Sequence, residues 1–296
     1  QQVDYAYNIR GWMQSINGNM IHNPTANTLD LFGFKINYDQ KTLSGDGALY
    51  NGNISETLWR TANTDTGIKA YEYSYDALNR LQEASFAAKD AGQSIFTVLR
   101  DYNEQIKGYD KNGNILEFFR TGPATPDGSL TVWDDLDYSY DGNQLTAVRE
   151  KDFGTGDVRE EGFLDNNGTV STIDYQYDID GNMISDDNKN IINIAYNHLN
   201  QPTVITLDEG VISYIYDAVG VKLKKTVTPN SGAVFNKEYV GGYIYEQDEL
   251  IMIAQPEGYI EPQGGSFTYA YQFTDHLGNV RLTYADTNNS GVVGQS

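Results

Sequence analysis

The residues able to ligate a metal or carry a proton are few and scattered. Three histidines, His22, His198 and His276, are the whole imidazole complement, and there is no cysteine. A zinc site would have to combine them with carboxylates, and no His-x-x-x-His spacing sets two on one helix face. The stretch Asp286-Thr-Asn288-Asn-Ser290-Gly291 puts oxygen ligands at alternate positions with glycine sixth, like the first half of a calcium loop. Asp165-Asn-Asn-Gly168 and Asp178-Ile-Asp180-Gly181 are shorter versions. Turns are built from the same residues, so a plain turn accounts for all three. Calcium at Asp286, Asn288 and Ser290 is the one cofactor reading the sequence offers.

Nucleophilic chemistry has no better footing. No Gly-x-Ser-x-Gly elbow occurs, and no Ser–His pairing follows from the spacing. The 41 acidic residues supply glycosidase-like carboxylate pairs everywhere and therefore single out none. The expectation is a chain without catalytic residues.

What recurs is a structural unit. In Tyr71-Glu-Tyr73-Ser-Tyr75-Asp76 the tyrosines lie two apart, on one face of a strand, and the Asp bends the chain by bonding its own backbone two residues on. Related units are Tyr109-Asp110, Tyr138-Ser-Tyr140-Asp141, Tyr175-Gln-Tyr177-Asp178, Tyr196-Asn197 and Tyr214-Ile-Tyr216-Asp217, with looser copies at Tyr5-Ala-Tyr7-Asn8, Tyr243-Ile-Tyr245-Glu246 and Tyr269-Ala-Tyr271. Most continue as Asp-x-x-Gly/Asn, which places a residue tolerant of positive φ where the turn needs it. From Tyr75 to Tyr216 the steps are 34, 31, 37, 19 and 20 residues, the mark of a two-strand repeat with variable loops. Alternating runs such as Val221–Val227 and Val280–Tyr284 follow the turns, as half-buried strands should. No convincing helix is visible; Leu81–Asp90 reads as a strand end and a loop. The expected fold is all-β, a spiralling antiparallel sheet of hairpins in one domain over residues 1–296, with the tyrosine rings turned inward.

Composition narrows the partners. The chain has 296 residues, 39% hydrophobic, with 23 tyrosines that combine a large apolar face with a polar tip. A net charge of −21 repels phosphate backbones, so nucleic acid is not expected as a native ligand. No apolar run approaches the roughly 20 residues of a membrane-spanning helix. The opening Gln1-Gln-Val-Asp4-Tyr5 already lies inside a repeat unit, which suggests an excerpt of a longer protein.

These units resemble the tyrosine–aspartate repeats of the Rhs/YD-repeat family, to which the teneurins belong. Tyr271-Gln-Phe-Thr-Asp275-His276-Leu277-Gly278-Asn279-Val280-Arg281 is similar to the start of the Rhs-associated core, here spanning 269–296, and Tyr5-Ala-Tyr-Asn-Ile-Arg10-Gly11-Trp12 resembles an opening found on secreted proteins of gliding-type bacteria. The resemblance implies a β-sheet ribbon forming a shell around a toxic C-terminal effector, the partner being that effector or a secretion or cell-surface component. It implies a secreted or surface location, with a type 9 route in view. Family members often cut themselves at a later Asp-Pro-x-Gly segment; this chain has none, and Asp275 and Gly278 are read as turn residues. The structural repeat positions are thus Tyr7, Tyr75, Asp76, Tyr109, Asp110, Tyr140, Asp141, Tyr177, Asp178, Tyr216, Asp217, Asp275 and Gly278. The alternative is an adhesin or a carbohydrate- or protein-binding module that uses its outer loops.

Overall fold

The structure, a computed structural model, describes residues 3–22, 30–43, 49–62, 67–90, 93, 95–99, 101–123, 129–151, 162–165 and 173–286. It is almost entirely antiparallel β. The first strands are β1 (Tyr5–Tyr7), β2 (Met13–Ile16), β3 (Phe32–Asn37), β4 (Glu56–Thr61), β5 (Ile68–Tyr75) and β6 (Leu81–Lys89). Then come the two-residue β7 (Thr97–Val98), β8 (Glu104–Tyr109), β9 (Ile115–Pro123), β10 (Leu130–Asp141) and β11 (Gln144–Glu150). A second series holds β12 (Tyr175–Tyr177), β13 (Met183–Asp186), β14 (Ile191–Tyr196), β15 (Pro202–Leu207), β16 (Gly210–Tyr216) and β17 (Lys222–Pro229). It closes with β18 (Phe235–Val240), β19 (Tyr243–Glu246), β20 (Glu249–Gln255), β21 (Gly258–Gln263), β22 (Ser266–Thr274) and β23 (Val280–Ala285).

The strands form sheets of 11 and 12 members, each ordered as in the sequence apart from β7, which pairs with β6 at the side. Every step from one repeat tyrosine to the next crosses two strands of the main path, and the unequal steps come from strand length as well as loop length: β9 and β10 have 9 and 12 residues where β13 and β14 have 4 and 6. Among the described residues, helix is limited to one turn at Asn19–His22 and a 3-10 turn at Asp187–Lys189. The segment from Leu81 is strand through Lys89, because Ala70↔Ala87 and Tyr71↔Phe86 give its apolar residues cross-strand partners.

Two compact units divide the chain. The first comprises Gln1–Asp137, Lys151–Phe163 and Phe273–Leu282. Its core is dry: Phe32, Phe34, Ile36, Leu58, Ile68 and Ala70 are fully buried, with Ile21, Leu58, Ile68 and Ala70 forming one cluster. Phe273 packs its ring 5.8 Å from that of Phe32.

The second unit comprises Tyr138–Glu150, Leu164–Gln272 and Thr283–Ser296. Its buried apolar residues among those described are Ala147, Val148, Tyr175, Ile194 and Ala270. Asp174 is also buried, accepting hydrogen bonds from the Val148 amide at 2.8 Å and from Arg149 at 2.9 Å. For most of its length this sheet relies on half-buried side chains and ladder hydrogen bonds. The inward tyrosine face expected from the sequence is therefore half-buried here, with Tyr175, at 9% exposure, the most buried of the described tyrosines.

Candidate functional site

The repeated tyrosine–aspartate turn is the most elaborated local structure in the chain. In the first unit, Asp76 Oδ1 accepts from the amides of Leu78 and Arg80 at 2.8 and 2.9 Å, while Oδ2 accepts from Arg80 Nε at 2.7 Å. Asp110 repeats this with the amides of Asn112 and Asn114, both 2.8 Å, and with Asn114 Nδ2. In the second unit, Asp178 holds the amides of Asp180 and Asn182 and the Asn182 side chain. Asp217 holds the amides of Val219 and Val221, and Asn197 those of Leu199 and Gln201. Asn8 does the same for Arg10 and Trp12. The third residue after the Asp or Asn is left-handed in each case: Gly11, Asn79, Gly113, Gly181, Asn200, Gly220 and Gly278 have φ between 56° and 93°. That requirement explains the Gly/Asn of the sequence pattern.

These hydrogen bonds fix the charge state. Bonds from the Arg80 amide first, and then from its guanidinium, hold the Asp76 carboxyl below the usual carboxylate range. For Asp110, desolvation pushes the other way and is outweighed by the Asn114 side chain and the turn amides. Asp178 is depressed mainly by the Asn182 side chain. Both carboxylate oxygens of Asp178 thus accept hydrogen bonds within the turn.

The tyrosine is placed by a bulge. At Tyr7, Tyr75, Tyr109, Tyr177, Tyr196 and Tyr216 the strand register slips by one residue immediately before or at the ring. Bulges re-aim side chains, and here the phenol turns toward the end of a neighbouring ladder. Tyr75 donates to the Ile54 carbonyl at 2.8 Å, Tyr109 to Leu81 at 2.6 Å and Tyr177 to Leu145 at 2.8 Å. Tyr196 donates to Met183 at 2.6 Å and Tyr216 to Pro202 at 3.0 Å. Tyr38, which the sequence pattern did not flag, makes the same bond to Met13 at 3.0 Å. Each acceptor stands just after a turn, where a carbonyl would otherwise lack a partner at the ladder's end. The unit is thus a lock in which one residue shapes the turn and the next hairpin's tyrosine ties it down.

Neighbouring turns also touch. The Arg80 guanidinium lies 4.3 Å from the Tyr109 ring centroid, Asn182 Nδ2 donates to Asn200 Oδ1 at 3.1 Å, and Gln201 Nε2 donates to the Gly220 carbonyl at 2.8 Å.

Two of the sequence-predicted positions depart from this geometry. Tyr7 stays 55% exposed, because β1 is a sheet edge with a neighbour on one side alone. Asp141 ends β10 and is followed by a two-residue turn at Gly142–Asn143, since Gly142 (φ 61°) sits too early for the longer turn.

The Asp275–Arg281 segment elaborates the same turn. The carboxyl of Asp275 is wholly enclosed and accepts from the amides of Leu277 and Asn279, from Asn279 Nδ2 and from Arg281 Nε at 2.8 Å. Burial opposes its ionisation, yet these donors and the Arg281 charge bring it below the usual range. The His276 ring stacks on Phe34 with centroids 5.9 Å apart, and its buried Nδ1 has no hydrogen-bond partner. Burial lowers its pKa, assisted by Arg281 and opposed by Asp275. His22 and His198 lie elsewhere, on the helical turn and on the Asn197 turn. Of the calcium candidates, Asn288 and Ser290 lie outside the described residues, as does most of Asp165–Gly168. Among the described residues no three His, Asp or Glu side chains gather in a way that would hold a metal, and no helix is long and apolar enough to cross a membrane.

Fold and turns together define an antiparallel hairpin-repeat protein. No protein-family model and no curated protein matches the sequence. Among solved structures, the chain is similar to a TcdB2-TccC3 crystal structure at 11% identity and a TM-score of 0.37, covering 99% of this chain and 18% of that one. A TcdB2-TccC3-Cdc42 structure gives 14% identity and 0.31, covering 96% and 14%. TcdB2-TccC3 without its hypervariable C-terminal region gives 11% and 0.26, covering 95% and 19%. The chain thus spans under a fifth of the length of these structures.

Proposed function

We propose that this chain is a structural, non-catalytic segment of a YD-repeat shell belonging to a larger exported bacterial protein, where it encloses or presents a C-terminal effector domain. The reading rests on one observation: the same tyrosine-to-carbonyl tie closes hairpins in both units. The tyrosine hydroxyls are bonded to backbone carbonyls of the preceding hairpin, and the turn carboxylates to their own turn amides. Such a sheet is suited to being extended by identical increments, each hairpin bonding only its neighbours. A secreted or cell-surface location belongs to the same proposal.

The test is protease protection in the full-length gene product. An enclosed downstream domain resists a protease that degrades it when it is expressed alone. Equal cleavage rates in the two settings would remove the enclosure reading.

A further inference from the structure

Not all the tyrosines are used by the repeat. Repeat tyrosines stand one and three residues before the turn Asp. In β22 the aromatics Phe267, Tyr269 and Tyr271 stand eight, six and four residues before Asp275, and so have the opposite parity. Over this span the register with β21 runs without a break, from Gln263↔Ser266 to Gly258↔Tyr271. Thr268 and Ala270 are therefore on one face and are buried at 5% exposure each, while Phe267, Tyr269 and Tyr271 line the other at 51%, 55% and 40%. The hydroxyls of Tyr269 and Tyr271 make no hydrogen bond among the described residues, unlike the six that tie the turns. Tyr271 is braced from the side by Tyr284, its ring 5.4 Å away and nearly parallel.

Beside this stripe is a cleft of about 240 Å³, formed where the tip of the β20–β21 hairpin lies on β22. Tyr269 and Tyr271 make its apolar wall, and Gln255 and Glu257 supply an amide and a carboxylate. The tip is anchored by the Gln272 amide donating to the Glu257 carbonyl at 2.8 Å. Gly258 permits the approach: at φ 152° a Cβ there would collide with the Ala270 carbonyl oxygen.

We propose that this stripe and cleft bind a neutral, extended glycan, its sugar rings lying on Tyr269, Tyr271 and Phe267 and its hydroxyls bonding Gln255 and Glu257. Rings two residues apart repeat at about 7 Å along a strand, so the stripe presents an extended row of aromatic faces and not one compact pocket. The cleft is smaller than the roughly 300 Å³ of an ordinary small-molecule pocket, so it holds one end of a ligand that continues over the stripe. A carboxylate at the site and a net charge of −21 favour a neutral chain over an acidic one. A peptide strand cannot add here, because β22 is paired on both edges, with β21 and β23. A second copy of the chain would need about 800 Å² per partner. Three rings about half exposed offer on the order of 300 Å². The inference stands on this face alone and is independent of the shell reading.

The experiment is affinity electrophoresis of the intact chain in gels containing soluble neutral polysaccharides (hydroxyethylcellulose, mixed-linkage β-glucan, mannan), followed by calorimetric titration of whichever retards it. At least one should slow the chain. Tyr269→Ala should weaken that binding about tenfold, equivalent to about 1.4 kcal/mol, and Tyr271→Ala by a similar factor, while Tyr216→Phe leaves it unchanged. Both mutated rings are exposed, so far-ultraviolet circular dichroism of these variants should match the parent. Three results would overturn the proposal: no retardation by any of the polymers, retardation that survives both alanine variants, or a parent dimer that Tyr269→Ala converts to monomer.

Discussion

The two units carry the same turn on very different foundations. In the first, Phe32, Phe34, Leu58 and Ile68 are shut away from water and the turns sit at the margin of a packed core. In the second, strands β14 to β21 leave Ile192, Ile215, Val240 and Phe235 largely exposed, and little is dry. Yet Asp110 and Asp178 bind their own turn amides with nearly the same distances, and Tyr109 and Tyr196 donate to the carbonyl after a turn at an identical 2.6 Å. The turn geometry therefore does not derive from the core. Local hydrogen bonds set the hairpin, and burial decides how firmly the finished sheet is held.

That contrast can be broken most readily at its strongest point. Phe32→Ala should cost about 3–5 kcal/mol, as a large aromatic truncation in a closed core does, read as a fall in the urea midpoint. Ile194→Ala in the second unit should cost no more than about half of that, since the surrounding sheet can collapse around the gap; equal losses would show that both units depend on burial alike. Next in size are the left-handed positions. Gly113→Ala and Gly181→Ala, at φ 93° and 85°, should each cost about 1–2 kcal/mol. Similar losses in the two units would sharpen the claim that the turn is autonomous.

Acid should separate the units differently. The native carboxyls of Asp76, Asp110, Asp178 and Asp275 lie below their unfolded values, so their contribution is complete above about pH 4 and is lost as pH falls through the folded values. Both units share that loss. His22 and His276, both in the first unit, are held neutral chiefly by burial, which lowers their folded pKa. There the unfolded chain binds more protons below about pH 6.5, so stability declines earlier on acidification. Thermal unfolding followed from pH 7 to pH 5 should show a small downward shift that His22→Gln/His276→Gln abolishes; an unchanged shift in that variant would place its origin elsewhere.

Much of this was legible in the residues. The Asp and the Gly or Asn three positions later act over one turn, so Asp76-Ala-Leu-Asn79 and Asp178-Ile-Asp-Gly181 announce their geometry directly. Where glycine is displaced by two positions, as at Gly142, the same signal misleads. Tyr245-Glu246 misleads for a similar reason, since Gln247 and Asp248 take positive φ and close a shorter hairpin. The destination of each phenol could not be read off, because Tyr109 and Leu81 are separated by a loop whose length only the folded chain fixes. Nor could the stacking of His276 on Phe34, which depends on a return of the chain after more than two hundred residues. The opposite parity of Tyr269 and Tyr271 was visible as spacing, but its meaning appears only once Thr268 and Ala270 are seen to be the covered face.

The account turns on the tyrosine tie, and amide hydrogen exchange tests it most directly. In six single Tyr→Phe variants, at Tyr38, Tyr75, Tyr109, Tyr177, Tyr196 and Tyr216, each lost bond is worth about 0.5–1.5 kcal/mol. Exchange should quicken at the one turn whose following carbonyl has lost its phenol, for example around Asn182–Met183 for Tyr196→Phe, and should do so in both units. Unchanged exchange at those turns, or acceleration spread evenly over a whole sheet, would contradict it.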